Sequence, residues 1–364
     1  MSSGRRALRR LVRRVHVYVG LVLSVFLFVF AVTGGALVYK EAYWRLVYPE
    51  LRAPTPALGP ADHAAAIAAA ERRFGAHLRS VKLPEPGVGA YHLYLDDGEA
   101  FLSAADHHVI DRWRPSERVM SLLFDLHAHL MAGAAGERVG GVLGLLGAVL
   151  AATGLVLWWP ARRRFALAHL VPHGLSRHRL LALHRDLGAL ASPILLVLLL
   201  TGSGLVFYGT ARRALNGLFG DRVPAEPAPA VDAALSLAPP DAAMISRVEA
   251  TFPGARVVFY YPPRNGAGFH RFRLKQPCEL HPNGRSYVSL DAAGDVARTT
   301  DACAQPPGER AAHAIYPLHS GKTRSTVYKL VTFLGAAALA VLSASGVVVY
   351  LKRLRRMGRA QRGG

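Results

Sequence analysis

The sequence predicts a mainly α-helical membrane protein, with four transmembrane helices that arise from a duplicated two-helix unit. Three observations predict this fold class: four long apolar runs, basic residues gathered beside those runs, and matching motifs in the two halves of the chain. The chain has 364 residues, of which 51% are hydrophobic, and its mean hydropathy is positive. This composition argues against an ordinary soluble enzyme.

Each apolar run is long enough to cross a bilayer, since a hydrocarbon core of about 30 Å needs roughly 20 helical residues. The predicted order is a basic N-terminus, span 1, a first outer domain, span 2, a cytoplasmic loop, span 3, a second outer domain, span 4 and a basic tail. The corresponding ranges are 1–14, 15–40, 41–138, 139–160, 161–183, 184–209, 210–326, 327–351 and 352–364. Each outer domain begins with an Ala-rich helical stretch and continues with alternating apolar and polar residues, which indicates a small α/β domain in each copy.

The positions of the charges predict the orientation of the spans. The net charge is +20, and 17 of these charges come from the Lys and Arg residues of 1–14, 161–179 and 352–364, which contain no Asp or Glu. Because Lys and Arg beside a span resist translocation, both termini and the loop between spans 2 and 3 are expected in the cytoplasm. A nucleic-acid partner is not predicted, since the basic residues flank spans and are not interleaved with aromatics.

The halves of the chain share motifs at equal spacing. Spans 1 and 3 both read His-x-x-x-Gly, then twelve residues, then Thr-Gly, starting from His16 and His184. Spans 2 and 4 are both preceded by Leu-His, and 26 residues separate His127 from Thr153 and His319 from Ser345. A parallel duplication of this kind places His16 opposite His184 at one membrane face and His127 opposite His319 at the other.

Glycines accompany these histidines at helical spacing. Gly20 and Gly188 lie one turn after His16 and His184, on the same helix face, where they leave room either for a flat ring or for close helix packing. Gly34 and Gly202 lie five turns after His16 and His184, a rise of about 27 Å, which places them at the depth of the second pair.

Two facing imidazoles at each membrane face favour haem as the cofactor. Zinc takes three or four protein ligands, and no Cys or carboxylate stands at matching positions in both copies. A b-type haem needs two axial imidazoles and supplies the other ligands itself. No Cys-x-x-Cys-His motif is present for covalent attachment. We therefore expect two b-type haems, with iron bound by His16 and His184 and by His127 and His319, and with His129 as an alternative to His127.

Together, the four spans, the His-x-x-x-Gly and Leu-His motifs and the paired outer α/β segments resemble the PepSY-associated transmembrane (PepSY-TM) family. The resemblance covers nearly the whole chain and implies PepSY-like outer domains and a location in the bacterial inner membrane. It further implies a ferric-siderophore reductase, which passes electrons from the cytoplasm to a periplasmic ferric siderophore and releases Fe(II). The family's histidine positions match His16, His127, His184 and His319.

Other interpretations remain open from the sequence. One is a non-enzymatic membrane regulator or scaffold whose outer domains bind a peptide or protein. Another is metal transport through the helices. Transport is disfavoured because no acidic residue lies in the middle of a span, since Glu137 and Asp186 are both at span ends. No dinucleotide fingerprint is present, so the electron donor is expected to be a separate cytoplasmic molecule or a quinol. Lipid is the remaining expected partner. Cys278 and Cys303 both fall in the second outer domain, where oxidising conditions favour a disulfide.

Overall fold

The computed structural model describes residues 3–52, 57–85, 87–171, 173–222, 238–264 and 268–362. The segment 223–237, within the predicted second outer domain, therefore lies outside the described residues, as do the outermost two residues of each predicted basic terminus. The chain divides into two compact units. A helical unit comprises the described parts of Met1–Val38, Leu123–Ala211 and Leu318–Gly364, and a sheet unit comprises those of Tyr39–Leu122 and Arg212–Pro317.

Helices dominate the described chain. In order they are α1 Ser3–Leu37, α2 Lys40–Val47, α3 Pro60–Phe74, α4 Val119–His129, α5 Gly133–Trp158, α6 Arg177–Val206, α7 Tyr208–Phe219, α8 Ala242–Thr251, α9 Pro307–Ser320 and α10 Thr326–Arg362. Four helical stretches among the described residues are long and apolar enough to cross a membrane, namely Arg6–Leu37, Gly133–Arg164, Arg177–Val206 and Thr326–Arg355. The prediction of a mainly helical protein with four transmembrane helices is thus confirmed.

The four long helices form a bundle in which each packs along two neighbours. Helices α1 and α6 both pack against α5 and α10, so α1 lies diagonally across the bundle from α6. Small residues permit the approach of α5 to α6: a Cβ added to Gly141 would lie 2.7 Å from the Phe207 ring, and one added to Gly147 would lie 3.1 Å from Leu199. Helix packing in lipid depends on such close contacts between backbones.

The described strands of the sheet unit form one antiparallel sheet. Its strands are β1 Leu78–Lys82, β2 Ala90–Leu95, β3 Glu99–Ser103, β4 Val109–Trp113, β5 Arg256–Tyr261, β6 His270–Lys275, β7 Ser286–Leu290 and β8 Val296–Thr300. Their order across the sheet is β4-β3-β2-β1-β5-β6-β7-β8. At the centre of the sheet, β1 from the first outer segment pairs with β5 from the second, with Val81 opposite Tyr260 and Lys82 opposite Phe259.

This arrangement differs from the sequence-based expectation of a separate small domain in each copy. If β1–β4 and β5–β8 formed two separate four-stranded meanders, β1 and β5 would each have an unpaired backbone at an exposed edge. Pairing β1 with β5 supplies hydrogen-bond partners for both and joins the two segments into one sheet. The pairing also creates a shared core, because Ile67 of α3 and Ile245 of α8 are fully buried in one cluster with the central strands.

The other face of the sheet buries aromatic side chains. Neighbouring residues of β3 point to opposite faces, so Leu102 joins the core beneath α3 and α8 while Phe101 packs with Trp44 and Trp113. Both faces of the first meander are therefore covered by apolar side chains.

Cys278 and Cys303 form a disulfide, with Cα atoms 6.1 Å apart. It closes a loop of 25 residues, for which the loss of chain entropy in the unfolded state contributes about 3 kcal/mol. We expect reductant to lower the temperature at which the sheet unit unfolds in the full-length protein, measured by the fluorescence of the buried Trp44 and Trp113. The double variant C278S/C303S should unfold at that lower temperature with or without reductant. An unchanged transition in reduced wild-type protein would contradict this assignment.

Candidate metal centres formed by paired histidines

The first histidine pair joins two diagonal helices of the bundle. His16 lies on α1 and His184 on α6, and their ring centroids are 6.5 Å apart with the ring planes at 84°. The sequence predicted that these two residues face each other. Because α1 and α6 have few contacts of their own, this pair spans the interior of the bundle.

The second pair is built from two shorter helices that precede the apolar stretches of α5 and α10. His127 lies near the end of α4 and His319 near the end of α9, with ring centroids 6.0 Å apart and planes at 36°. The structure therefore brings each of the four predicted ligands together with its predicted partner.

In the first pair, a hydroxyl of a neighbouring helix fixes each ring through Nδ1. His16 Nδ1 lies 3.1 Å from Thr153 Oγ1 on α5, and His184 Nδ1 lies 3.2 Å from Ser345 Oγ on α10. The Thr153 hydroxyl donates its own hydrogen to the carbonyl of Val149, so its oxygen accepts from the Nδ1–H of His16. Ser345 holds the equivalent position beside His184, and it follows His319 by the same 26 residues that separate Thr153 from His127.

In the second pair, the Nδ1 contacts are equivalent. His127 Nδ1 lies 3.0 Å from Thr33 Oγ1, whose hydroxyl donates to the carbonyl of Val29. His319 Nδ1 lies 2.9 Å from the carbonyl oxygen of Leu198, which can only accept, so Nδ1 carries the proton.

These contacts leave Nε2 as the ring atom with a lone pair in every case. Within the described residues, Nε2 of none of the four histidines takes part in a hydrogen bond. An imidazole whose Nδ1–H is held by an oxygen acceptor is oriented to bind a metal through Nε2. The hydroxyls and the Leu198 carbonyl thus orient the candidate ligands.

Glycines on the neighbouring helices allow the rings to lie against backbone. A Cβ on Gly34 would be 2.7 Å from His127 Cε1, and a Cβ on Gly202 would be 2.7 Å from His319 Cε1. Such distances leave no room for a methyl group. The sequence had placed Gly34 and Gly202 at the depth of this pair, and both contact its rings.

Two further glycines contact the first pair and were missed by the sequence analysis. A Cβ on Gly154 would be 3.3 Å from His16 Cε1, and one on Gly346 would be 3.3 Å from His184 Cε1. Each follows the residue that holds Nδ1, so a Thr-Gly or Ser-Gly dipeptide faces each ring of this pair. The sequence contained a pattern that could have identified them, because the two dipeptides begin 26 residues after His127 and His319.

Gly20 and Gly188 have different neighbours. A Cβ on Gly20 would make an ordinary contact of 3.8 Å with Leu150, and one on Gly188 a contact of 3.6 Å with Leu342. Among the described side chains these two glycines therefore face leucines of adjacent helices. Neither contact excludes a methyl group, so these side chains do not explain why the two positions are glycine.

His129, the alternative to His127, is bonded elsewhere. Its Nδ1 lies 2.9 Å from Asp125 Oδ1, one turn earlier on α4, and its ring packs edge-on against Phe124. The ring that faces His319 is that of His127.

A buried carboxylate lies near the beginning of α6. Asp186, two residues after His184, is fully buried and accepts hydrogen bonds from Arg185 Nε at 2.6 Å, His169 Nδ1 at 2.5 Å and the backbone N–H of Ala166 at 3.3 Å. These bonds fasten the loop that precedes α6 to the beginning of that helix. The sequence indicated no role for Asp186 beyond its position at a span end.

The donor set is suited to haem iron. Metal–nitrogen bonds of about 2 Å on both sides of one ion place two imidazole centroids about 6 Å apart, which matches the 6.5 Å and 6.0 Å observed. In the described part of the chain, no group of three or more His, Cys, Asp or Glu side chains could hold a metal ion. Each site thus offers two imidazoles, and the remaining ligands would have to come from the cofactor, as in a bis-imidazole haem.

The fold and the paired histidines define the class of protein: a multi-pass membrane protein whose helical unit holds two facing pairs of imidazoles. The chain matches the family model described as the PepSY-associated TM region over residues 13–353, nearly its whole length, and it belongs to that family. No curated protein matches the chain. The family predicted from the sequence is therefore confirmed.

Proposed function

We propose that this protein is a di-haem reductase of the bacterial inner membrane, which passes electrons from the cytoplasmic side to a periplasmic ferric siderophore and releases Fe(II). The observation that carries the proposal is the facing of two imidazoles at about 6 Å at two separate places in one membrane-spanning unit. One such site would hold a redox cofactor, whereas two sites are suited to carrying electrons across a bilayer.

The four histidines are the ligands in this proposal. His16 and His184 hold the cytoplasmic haem through Nε2, and His127 and His319 hold the periplasmic one. Two b-type haems held by these imidazoles would supply one-electron transfer. The chain contributes ring orientation, through the acceptors that hold each Nδ1, and clearance for the rings, through Gly34 and Gly202.

The orientation of the protein is supported by charge and by the disulfide. The basic termini and the basic loop 161–179 favour a cytoplasmic position, which leaves the sheet unit in the periplasm. The sheet unit contains the bond between Cys278 and Cys303, and disulfides persist in oxidising compartments.

A duplicated two-helix unit is supported by equivalent contacts in the two halves. The pairing of β1 with β5 places four consecutive strands on each side of one central ladder. Gly34 and Gly202 contact Cε1 of their histidines at the same distance, as do Gly154 and Gly346. Both facts are expected if two copies of one unit surround a common axis.

The reductase activity can be tested with purified protein that has been reduced by dithionite and freed of excess reductant. Addition of ferric desferrioxamine should oxidise the protein and produce Fe(II), which ferrozine traps as a coloured complex. His319→Ala should lower the rate of Fe(II) formation to that of the chelate in buffer without reductant. His129→Ala should leave this rate unchanged. Reduced protein that is oxidised by neither this hydroxamate chelate nor a ferric catecholate would contradict the proposed substrate class.

A further inference from the structure

Two buried nitrogen donors in the helical unit have no hydrogen-bond partner. They are Nε1 of Trp158, at the end of α5, and Nε of Arg177, at the beginning of α6. Among the described residues of the helical unit, no other buried side-chain nitrogen or oxygen is in this state. Buried polar groups in folded proteins are almost always bonded, so each exception calls for an explanation.

Helical spacing places both donors on the sides of α5 and α6 that carry contacts of the first histidine pair. Trp158 is four residues after Gly154, the glycine against the His16 ring, and residues four apart share a helix face. Arg177 precedes His184 by seven residues, so it lies on the same face of α6, two turns and about 10 Å away along the helix axis. Helices α5 and α6 pack against each other along the bundle, and both donors lie at the basic end of the bundle relative to the pair.

The protein's own carboxylate does not satisfy them. Asp186 lies close in sequence to His184, but its two oxygens already accept from Arg185, His169 and the backbone of Ala166. An indole N–H and a guanidinium are both donors and have no acceptor atom. The missing partner must therefore supply acceptor oxygens, and a guanidinium favours an anionic one.

We propose that Trp158 and Arg177 bind the propionate carboxylates of the haem held by His16 and His184. This inference rests on the proposed function, and it adds two residues to the cofactor site and gives the cytoplasmic haem a direction. The edge that bears the propionates faces the Trp158 end of α5, toward the basic loop. The two donors then complete a site in which imidazoles bind the iron and N–H groups bind the carboxylates.

The experiment compares full-length wild-type protein, purified with its cofactor, with six single variants. Trp158→Phe removes the N–H and keeps an aromatic ring, and Arg177→Gln removes the charge. The matched controls are Trp159→Phe, at a neighbouring indole that is 61% exposed, and Arg179→Gln, at an exposed arginine on the same helix. The readouts are haem content per chain and the midpoint potential of each haem, with the cytoplasmic haem identified as the one lost in His16→Ala.

Trp158→Phe and Arg177→Gln are each expected to lower the midpoint potential of the cytoplasmic haem and to reduce its occupancy. The reason is that carboxylates deprived of their donors stabilise the ferric state. Arg177→Lys, which keeps the charge, should restore part of the shift, and both controls should match wild type. The periplasmic haem should be unchanged throughout.

Wild-type potentials and occupancies in both Trp158→Phe and Arg177→Gln would overturn this inference while leaving the proposed function intact. Equal loss of both haems in these variants would also overturn it, because the effect is assigned to one site. Wild-type protein that contains no haem would instead refute the proposed function, and this inference with it.

Discussion

His319→Ala is expected to remove the periplasmic haem and to leave the cytoplasmic haem in place. His319 is one of two imidazoles at its site, and no third metal-binding side chain lies near it within the described residues. Its loss leaves one axial ligand for that haem. His127→Ala should give the same spectrum as His319→Ala, and His16→Ala and His184→Ala should give the complementary one. The measurement is haem per chain, with reduced-minus-oxidised spectra that resolve the two components.

His129→Ala is the matched control for these variants. It removes a histidine from the same turn of α4 as His127, but one that is bonded to Asp125. It should keep both haems. Retention of both haems in His127→Ala with loss of one in His129→Ala would reverse the ligand assignment on α4.

Gly34→Ala and Gly202→Ala should also remove the periplasmic haem, although neither residue could bind iron. In each variant the new methyl group would lie 2.7 Å from the Cε1 atom of the facing histidine, which forces the ring out of its present position. Alanine favours a helix over glycine by about 1 kcal/mol, so weaker helix formation would not explain the loss. Haem content and the midpoint potential of the remaining haem are the measurements.

Gly20→Ala and Gly188→Ala are the matched controls, because they make the same change in the same two helices. Their methyl groups would meet leucine side chains at 3.8 Å and 3.6 Å, which are ordinary contact distances. Both variants should keep both haems. If Gly34→Ala and Gly202→Ala retain wild-type haem content, the close contact with His127 and His319 has no part in the site.

The sequence predicts the four spans and the histidine partners because both depend on spacing along the chain. A run of about 20 apolar residues suffices to identify a span, and the equal offsets from His127 to Thr153 and from His319 to Ser345 identify equivalent positions in two copies. The partners themselves follow from symmetry, without knowledge of helix rotation. This is why His16 could be matched with His184 before any contact was known.

Contacts between helices are less accessible to the sequence because they depend on the rotation of each helix about its axis. The contact of Gly154 with His16, and the use of the Leu198 carbonyl by His319 in place of a hydroxyl, follow from that rotation. Gly20 shows the converse, since it shares a helix face with His16 but meets Leu150. Spacing within one helix does not specify what the neighbouring helix presents.

The union of the two outer segments in one sheet was also beyond prediction from local pattern. Alternating residues identify a strand and its two faces, but they do not say which edge strand pairs with which. The central ladder joins Val81 to Tyr260, which are separated by about half the length of the chain. Only the need to satisfy the exposed edges of β1 and β5 hints at such a pairing, and a separate covering element would have met that need equally well.

The central claim is that each histidine pair holds one haem through both rings, and spectroscopy of the oxidised wild-type protein tests it most directly. We predict two b-type haems per chain by pyridine haemochrome assay, and two low-spin ferric signals in electron paramagnetic resonance. The signals should differ, because the ring planes lie at 84° in the first pair and at 36° in the second. Absence of haem, a single haem per chain, or a high-spin signal that persists in intact protein would contradict the assignment.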